Sequence, residues 1–152
     1  MRRPPRPAKA GIFADGMGWD VLYQGLLVAV LTLASYLVGC HAENGTWSFV
    51  NSGVGTTMAF VTLSMSEIFH AFNMRSQRRS IFTLGSTNVL LVVSALVSLL
   101  LTAAVCEIPV LAAVFSFTCL SLEQFGIALA IGLAVIPVVE LVKLFQRMAA
   151  KR

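Results

Sequence analysis

The sequence predicts an all-α membrane protein, a four-helix transmembrane bundle with both termini cytoplasmic. The first observation is where the charge falls. All eleven Lys and Arg residues lie in three clusters: Arg2, Arg3, Arg6 and Lys9; Arg75, Arg78 and Arg79; and Lys143, Arg147, Lys151 and Arg152. The second is that four apolar stretches alternate with these clusters, so that a chain threading back and forth puts every basic cluster on one side. By the positive-inside bias that side is the cytoplasm. The third is composition: 57% hydrophobic and 12% charged residues, with a mean hydropathy of +0.83, leave too little polar surface to cover a water-soluble globule.

The N-terminal segment, residues 1–20, reads as a cytoplasmic stretch leading into a helix. Prolines and two acids separate its basic residues from the first long apolar run, which is not the pattern of a signal peptide. The first span is expected at about Val21 to Gly39, uncharged and, at about 1.5 Å per residue, long enough for the hydrocarbon core. His41 to Ser52 is then a short external loop, with Trp47 at the interface and no partner evident for His41. Asn44, Gly45, Ser52, Gly53 and Gly55 interrupt the early part of the next uncharged stretch, placing the second span at about Val54 to Phe72.

The third span is expected at about Asn88 to Val105, ended by Glu107-Ile108-Pro109 because proline disfavours helix in the residue before it. Pro109 to Leu120 is apolar but too short to cross and return, and reads as an external loop lying on the bundle. Ser121 and Gln124 are placed to form a capping box opening the fourth span, about Phe125 to Leu144, where Pro137 kinks the helix or marks a contact. Residues 148–152 form a cytoplasmic tail. Small residues four apart at Gly25/Ala29, Ala128/Gly132 and Ala130/Ala134 suit close helix packing.

Several function classes drop out on this reading. The sequence pI near 9.3 does not indicate nucleic acid, because no basic stripe is interleaved with aromatics and the charges sit where span ends need them. Three cysteines, Cys40, Cys106 and Cys119, without a CxxC pair argue against a zinc site or a disulfide framework. They read as small apolar residues near the outer span ends, although spacing leaves a Cys106–Cys119 bridge open.

One charge lies inside a span. Glu67 sits about two-thirds along the second, where a charged residue costs about 2.5–3.5 kcal/mol to insert. Residues three and four apart share a helix face, so Ser64, Glu67 and His70, with Asn73 or Met74, form one polar stripe. A carboxylate, a hydroxyl and an imidazole so placed suit an ion site or a proton relay; a hydrogen-bonded carboxylate that only fixes helix packing is the alternative, and the residues leave both open. Calcium takes about 6–8 oxygen ligands, so calcium at Glu67 requires ligands from other helices. Glu140 and Lys143, three apart, are expected to pair while Lys143 snorkels to the headgroups.

The stretches MRRPPRPAKAGIF, TMAFVTLSMSEIFHAFNMRSQRRSIFTLG and LSLEQFGIALAIGLAVIPVVELVKLFQR closely resemble the last four transmembrane helices of P-type calcium-transporting ATPases, over nearly the whole chain. The resemblance implies that Glu67 corresponds to the eighth-helix carboxylate contributing to one of two calcium sites, with Ser64 and His70 as its neighbours. RRSIF then resembles the cytoplasmic turn between helices eight and nine. Sodium pumps carry acidic residues inside helix nine, whereas Ser94 to Leu101 has none, which favours the calcium branch.

The departure from the family is larger than the match. The chain has no Asp-Lys-Thr-Gly-Thr phosphorylation motif and no nucleotide-binding or actuator domain, so it is expected to be no enzyme on its own. It reads as a piece or separate subunit of a pump in the cell membrane. Ca²⁺ is then the transported ion, ATP and Mg²⁺ belong only to the complete pump, and the partners are lipid and the remaining helices and cytoplasmic domains. The alternative is an independent four-helix membrane protein, such as a small proton-coupled antiporter. That family carries its carboxylate in the first helix and has a weak charge bias, unlike this chain.

Overall fold

A computed structural model describes residues 17–74 and 89–149, and these residues form six α-helices and no strand. The basic clusters Arg2, Arg3, Arg6 and Lys9, then Arg75, Arg78 and Arg79, then Lys151 and Arg152, lie outside the described residues, as do the RRSIF turn and the side chains of Asn73, Met74 and Arg147.

α1 (Met17–Asn44) has 28 residues, about 42 Å of helix at about 1.5 Å per residue. It runs further than its apolar run, taking in His41 to Asn44, and stops at Gly45. That glycine adopts φ +69°, and its N–H donates to the His41 carbonyl at 2.9 Å. A left-handed residue closing the last turn is what glycine permits without a Cβ clash. The loop between α1 and the next helix is therefore 45–52, shorter than expected. His41 also has a partner: its ring stacks on Trp47, centroids 4.3 Å apart.

α2 (Gly53–Met74) is the centre of the bundle, touching α1, α3, α5 and α6. Ser52 caps it, its hydroxyl accepting the Gly55 N–H at 2.8 Å. α1 and α2 cross where Gly39 meets Gly55: a Cβ on Gly39 would lie 2.5 Å from the Gly55 Cα. This pair, sixteen residues apart in sequence, escaped the search for small residues at helical spacing. Of the pairs expected, Ala128 and Gly132 do lie in a contact. Both are buried, and a Cβ on Gly132 would meet Met65 at 3.1 Å. Gly25 has nothing within 4 Å of such a Cβ and Ala29 is exposed, so that pair packs on nothing among the described residues.

α3 (Val89–Glu107) buries only Thr102 and Cys106. Half of the expected loop after it winds into a short helix, α4 (Pro109–Val114), with proline at its start, where the missing N–H has no helical partner to lose. The remainder lies on the bundle as expected. The Thr118 N–H donates to Thr57 Oγ1 at 3.0 Å, Phe117 packs on Phe60 with centroids 4.7 Å apart, and Leu120 is buried.

α5 (Leu122–Leu133) opens with the expected capping box, Gln124 N–H to Ser121 Oγ and Ser121 N–H to Gln124 Oε1. α6 (Val135–Ala149) comes after a break at Ala134. Pro137 explains the break, since it lacks the N–H that would reach the Leu133 carbonyl and its ring crowds that carbonyl. The next bond, Val138 N–H to the Ala134 carbonyl, is stretched to 3.4 Å.

Two buried clusters join these helices. One gathers Val54, Met58, Val61 and Met65 of α2 with Cys106, Leu120 and Ala128; the other joins Val28 of α1 to Val135 and Val139 of α6, with Phe69 packed on it. Among the described residues three spans are long and apolar enough to cross a membrane: Val21–Asn44, Val89–Glu107 and Leu122–Phe145. α2, at 22 residues, has the length but not the same apolarity. Some of its polar groups meet its neighbours instead. Ser35 Oγ of α1 donates to the Met58 carbonyl at 3.1 Å, and the Thr62 hydroxyl lies 2.7 Å from Ser35 Oγ and 2.9 Å from the Ala128 carbonyl of α5. All three cysteines are free: Cys40 and Cys106 buried, Cys119 exposed.

Candidate ion site on the uncovered face of α2

Glu67 faces away from the bundle. Thr56, Leu63, Glu67 and Ala71 are exposed, and their spacing of seven, four and four residues traces one stripe along α2. The opposite side, with Met58, Val61, Thr62, Met65 and Ser66, is buried. Among the described residues α1, α3, α5 and α6 pack on α2 and leave uncovered the stripe that carries the carboxylate. Glu67 makes no hydrogen bond or ion pair among the described residues.

Ser64 and His70 flank Glu67 as the helical spacing required, both half-buried. His70 turns its ring inward, where Nδ1 is sealed from solvent with no hydrogen-bond partner among the described residues; the buried Ser66 Oγ, one turn earlier, likewise has none among them. Both Glu67 and Lys143 are close enough to act electrostatically on the His70 imidazole. The three side chains of the expected stripe are thus divided, one toward the open face and one toward the bundle, with Ser64 between.

The Glu140–Lys143 pair forms as its spacing predicted, Nζ to Oε1 at 3.1 Å. Lys143 does not snorkel: it is only 3% exposed. It lies one turn beyond Val139, which packs with Phe69, so the pair stands where α6 meets the second half of α2. Sequence spacing indicated the pair but not its burial, because which face α6 turns inward depends on the break at Ala134.

Among the described residues no three His, Cys, Asp or Glu side chains gather into a metal-binding group. Glu67, Ser64 and nearby carbonyls supply fewer oxygens than the about 6–8 that calcium takes. What the stripe offers is one exposed carboxylate inside a helix, with no hydrogen bond or ion pair to its side chain among the described residues.

The chain matches, over residues 1–145, the family model described as cation transporting ATPase, C-terminus. It is 31% identical over 158 residues to Calcium-transporting ATPase 1 of Bacillus cereus, covering 97% of this chain and 18% of that protein. It is 31% identical over 138 residues to Calcium-transporting ATPase of Bacillus subtilis, covering 90% of this chain and 15% of that one. Calcium-transporting ATPase 1 of Lactococcus lactis is 30% identical over 142 residues, covering 91% and 15%. The chain spans under a fifth of the length of these relatives. These relatives being calcium-transporting ATPases, the chain belongs to the cation transporting ATPase C-terminal family.

Proposed function

We propose that this chain forms the C-terminal membrane domain of a P-type calcium-transporting ATPase and that Glu67 contributes one carboxylate to a calcium site completed by helices outside the chain. The observation that carries the reading is the placement of Glu67 on an exposed stripe of α2 that the other described helices leave uncovered. A carboxylate in a membrane helix needs a partner, and the partners absent from this face are available only from other helices. The calcium-transporting relatives extend well beyond the matched region, and in this reading the completing helices belong to that remainder.

In this reading the chain crosses the membrane four times, α2 being shielded by its neighbours despite its lower apolarity, and both termini are cytoplasmic. The remaining pump helices meet the stripe of Thr56, Leu63, Glu67 and Ala71. Phosphorylation, ATP and Mg²⁺ belong to the rest of the pump, so the chain alone hydrolyses no ATP and binds calcium no tighter than about millimolar. The independent antiporter reading is not favoured, because its family carries the carboxylate in the first helix and this chain matches pump relatives across 90% or more of its length.

The test is calcium-activated ATPase activity with this domain joined to the missing part of a matching two-site pump. Glu67→Gln weakens calcium activation or lowers its cooperativity while the second site still binds, and Glu140→Gln does much less. Unchanged calcium dependence in both variants reduces Glu67 to a packing residue.

A further inference from the structure

α3 is held to the bundle mainly at its end, where Thr102 and Cys106 are buried. Nearer its start it stands away from α2, and a cleft of about 180 Å³ opens between them. Met65, Phe69 and Phe72 of α2 and Val92, Ala95 and Leu99 of α3 line it, with no polar side chain among the lining residues. Helix association inside a bilayer rests on van der Waals contact, so a gap of this size leaves its walls without the partner atoms that close packing supplies.

Water does not suit it, since an apolar cavity of about 150 Å³ stays dry and takes up an apolar guest. Another helix does not fit, being about 10–12 Å across with its side chains. Leu96 both lines the cleft and is exposed, so the cleft opens to the outside of the helix pair there, beside Val93 and Leu100, which are exposed too. α3 is also among the spans long and apolar enough to cross a membrane, so the surroundings of that mouth are hydrocarbon. A flexible saturated chain is the guest at hand that is thin enough to enter.

We propose that the α2–α3 cleft binds one acyl chain of a membrane phospholipid, inserted between the helices rather than lying around them, and that this chain sets the distance of α3 from the bundle. The site depends on α2 and α3 lying in a bilayer and is independent of any role for Glu67.

Native mass spectrometry of the full chain, purified in mild detergent and progressively delipidated, tests it. The wild type keeps a single phospholipid after the surrounding lipid is stripped. Ala95→Phe, which fills the cleft, loses it, and Val97→Phe, on an exposed position of α3, keeps it. Equal retention by wild type and Ala95→Phe, or no retained lipid in the wild type, overturns the proposal. Electron paramagnetic resonance of the wild type with a phospholipid spin-labelled on its acyl chain gives a reading that needs no variant: a motionally restricted component persists after delipidation, and its absence overturns the proposal equally.

Discussion

The carboxylate of Glu43, in the last turn of α1, sits on the first turn of α2, where it accepts the Val54 N–H at 3.2 Å. The same oxygen accepts the Ser52 hydroxyl, while Ser52 in turn accepts the Gly55 N–H. Negative charge and an accepting hydroxyl thus meet the exposed amides at the start of α2, where the helix dipole favours an anion. Tyr36 adds a bond across the same turn, its hydroxyl donating to the Val50 carbonyl at 2.8 Å.

Removing this clasp is expected to loosen the α1–α2 hairpin. Ser52→Ala and Glu43→Ala each cost about 1 kcal/mol, the usual worth of an N-cap. Because both residues serve one helix end, the double variant costs less than the sum. Thermal unfolding of the purified chain in detergent measures this, and strictly additive losses would mean that the two side chains act separately.

Gly39 and Gly25 of α1 are expected to respond in opposite directions. Gly39→Ala drives a methyl group into the Gly55 backbone, which cannot yield as a side chain would, at a cost of about 1–3 kcal/mol. Gly25→Ala meets open space and is stabilising by up to about 1 kcal/mol through helix propensity. An unchanged melting temperature for Gly39→Ala would contradict the assignment of the crossing to Gly39, and a fall for Gly25→Ala would contradict the open space around Gly25.

The buried pair on α6 predicts a rescue. Lys143→Met takes the cation from beside Glu140 and is expected to destabilise by about 3–5 kcal/mol, whereas Lys143→Met with Glu140→Leu recovers most of the loss, since apolar replacement of a whole buried pair is often neutral. Unfolding of the single and double variants side by side decides it. A double variant as weak as the single would show that Glu140 serves a purpose beyond balancing Lys143.

Orientation is open to direct measurement in a cysteine-free background of the full chain. Single cysteines near Asn44 and Ser116 are expected to react with an impermeant thiol reagent in intact cells, and ones near Arg78 and at either terminus to be protected. Labelling near Arg78 reverses the proposed orientation.

Much of the helical plan was legible because its signals are local. Ser121 and Gln124 mark the start of α5 by residue type and spacing, and Pro137 marks the break by the bond it cannot make. Glu67 was legible as an anomaly, a charge inside an apolar stretch, and its stripe with Ser64 and His70 came from the helical repeat. What escaped depends on which faces meet. Gly39 and Gly55 look unrelated until α1 and α2 cross, and nothing in the spacing of Glu43 and Ser52 shows that a chain reversal returns one to the other. Lys143 illustrates the limit: a lysine near a span end reads as a headgroup anchor, and only the rotation of α6 against α2 puts it inside. The burial pattern around Glu67 was equally invisible, because it is the neighbours of α2 that leave one face bare.

The lower apolarity of α2 bears on how the protein enters its membrane. A helix carrying Glu67, His70 and a series of hydroxyls is a poor substrate for lateral release into lipid by itself, since its acid alone costs about 2.5–3.5 kcal/mol at mid-helix. α1 precedes it, is strongly apolar, and presents Ser35 to the Met58 carbonyl and Thr62 hydroxyl of α2. The two helices are therefore expected to leave the insertion machinery as a hairpin, with α1 acting as escort. Segments ending after residue 74 should integrate when α1 is present and translocate or slip back when α2 is offered alone, which glycosylation-tag mapping of nascent chains can read.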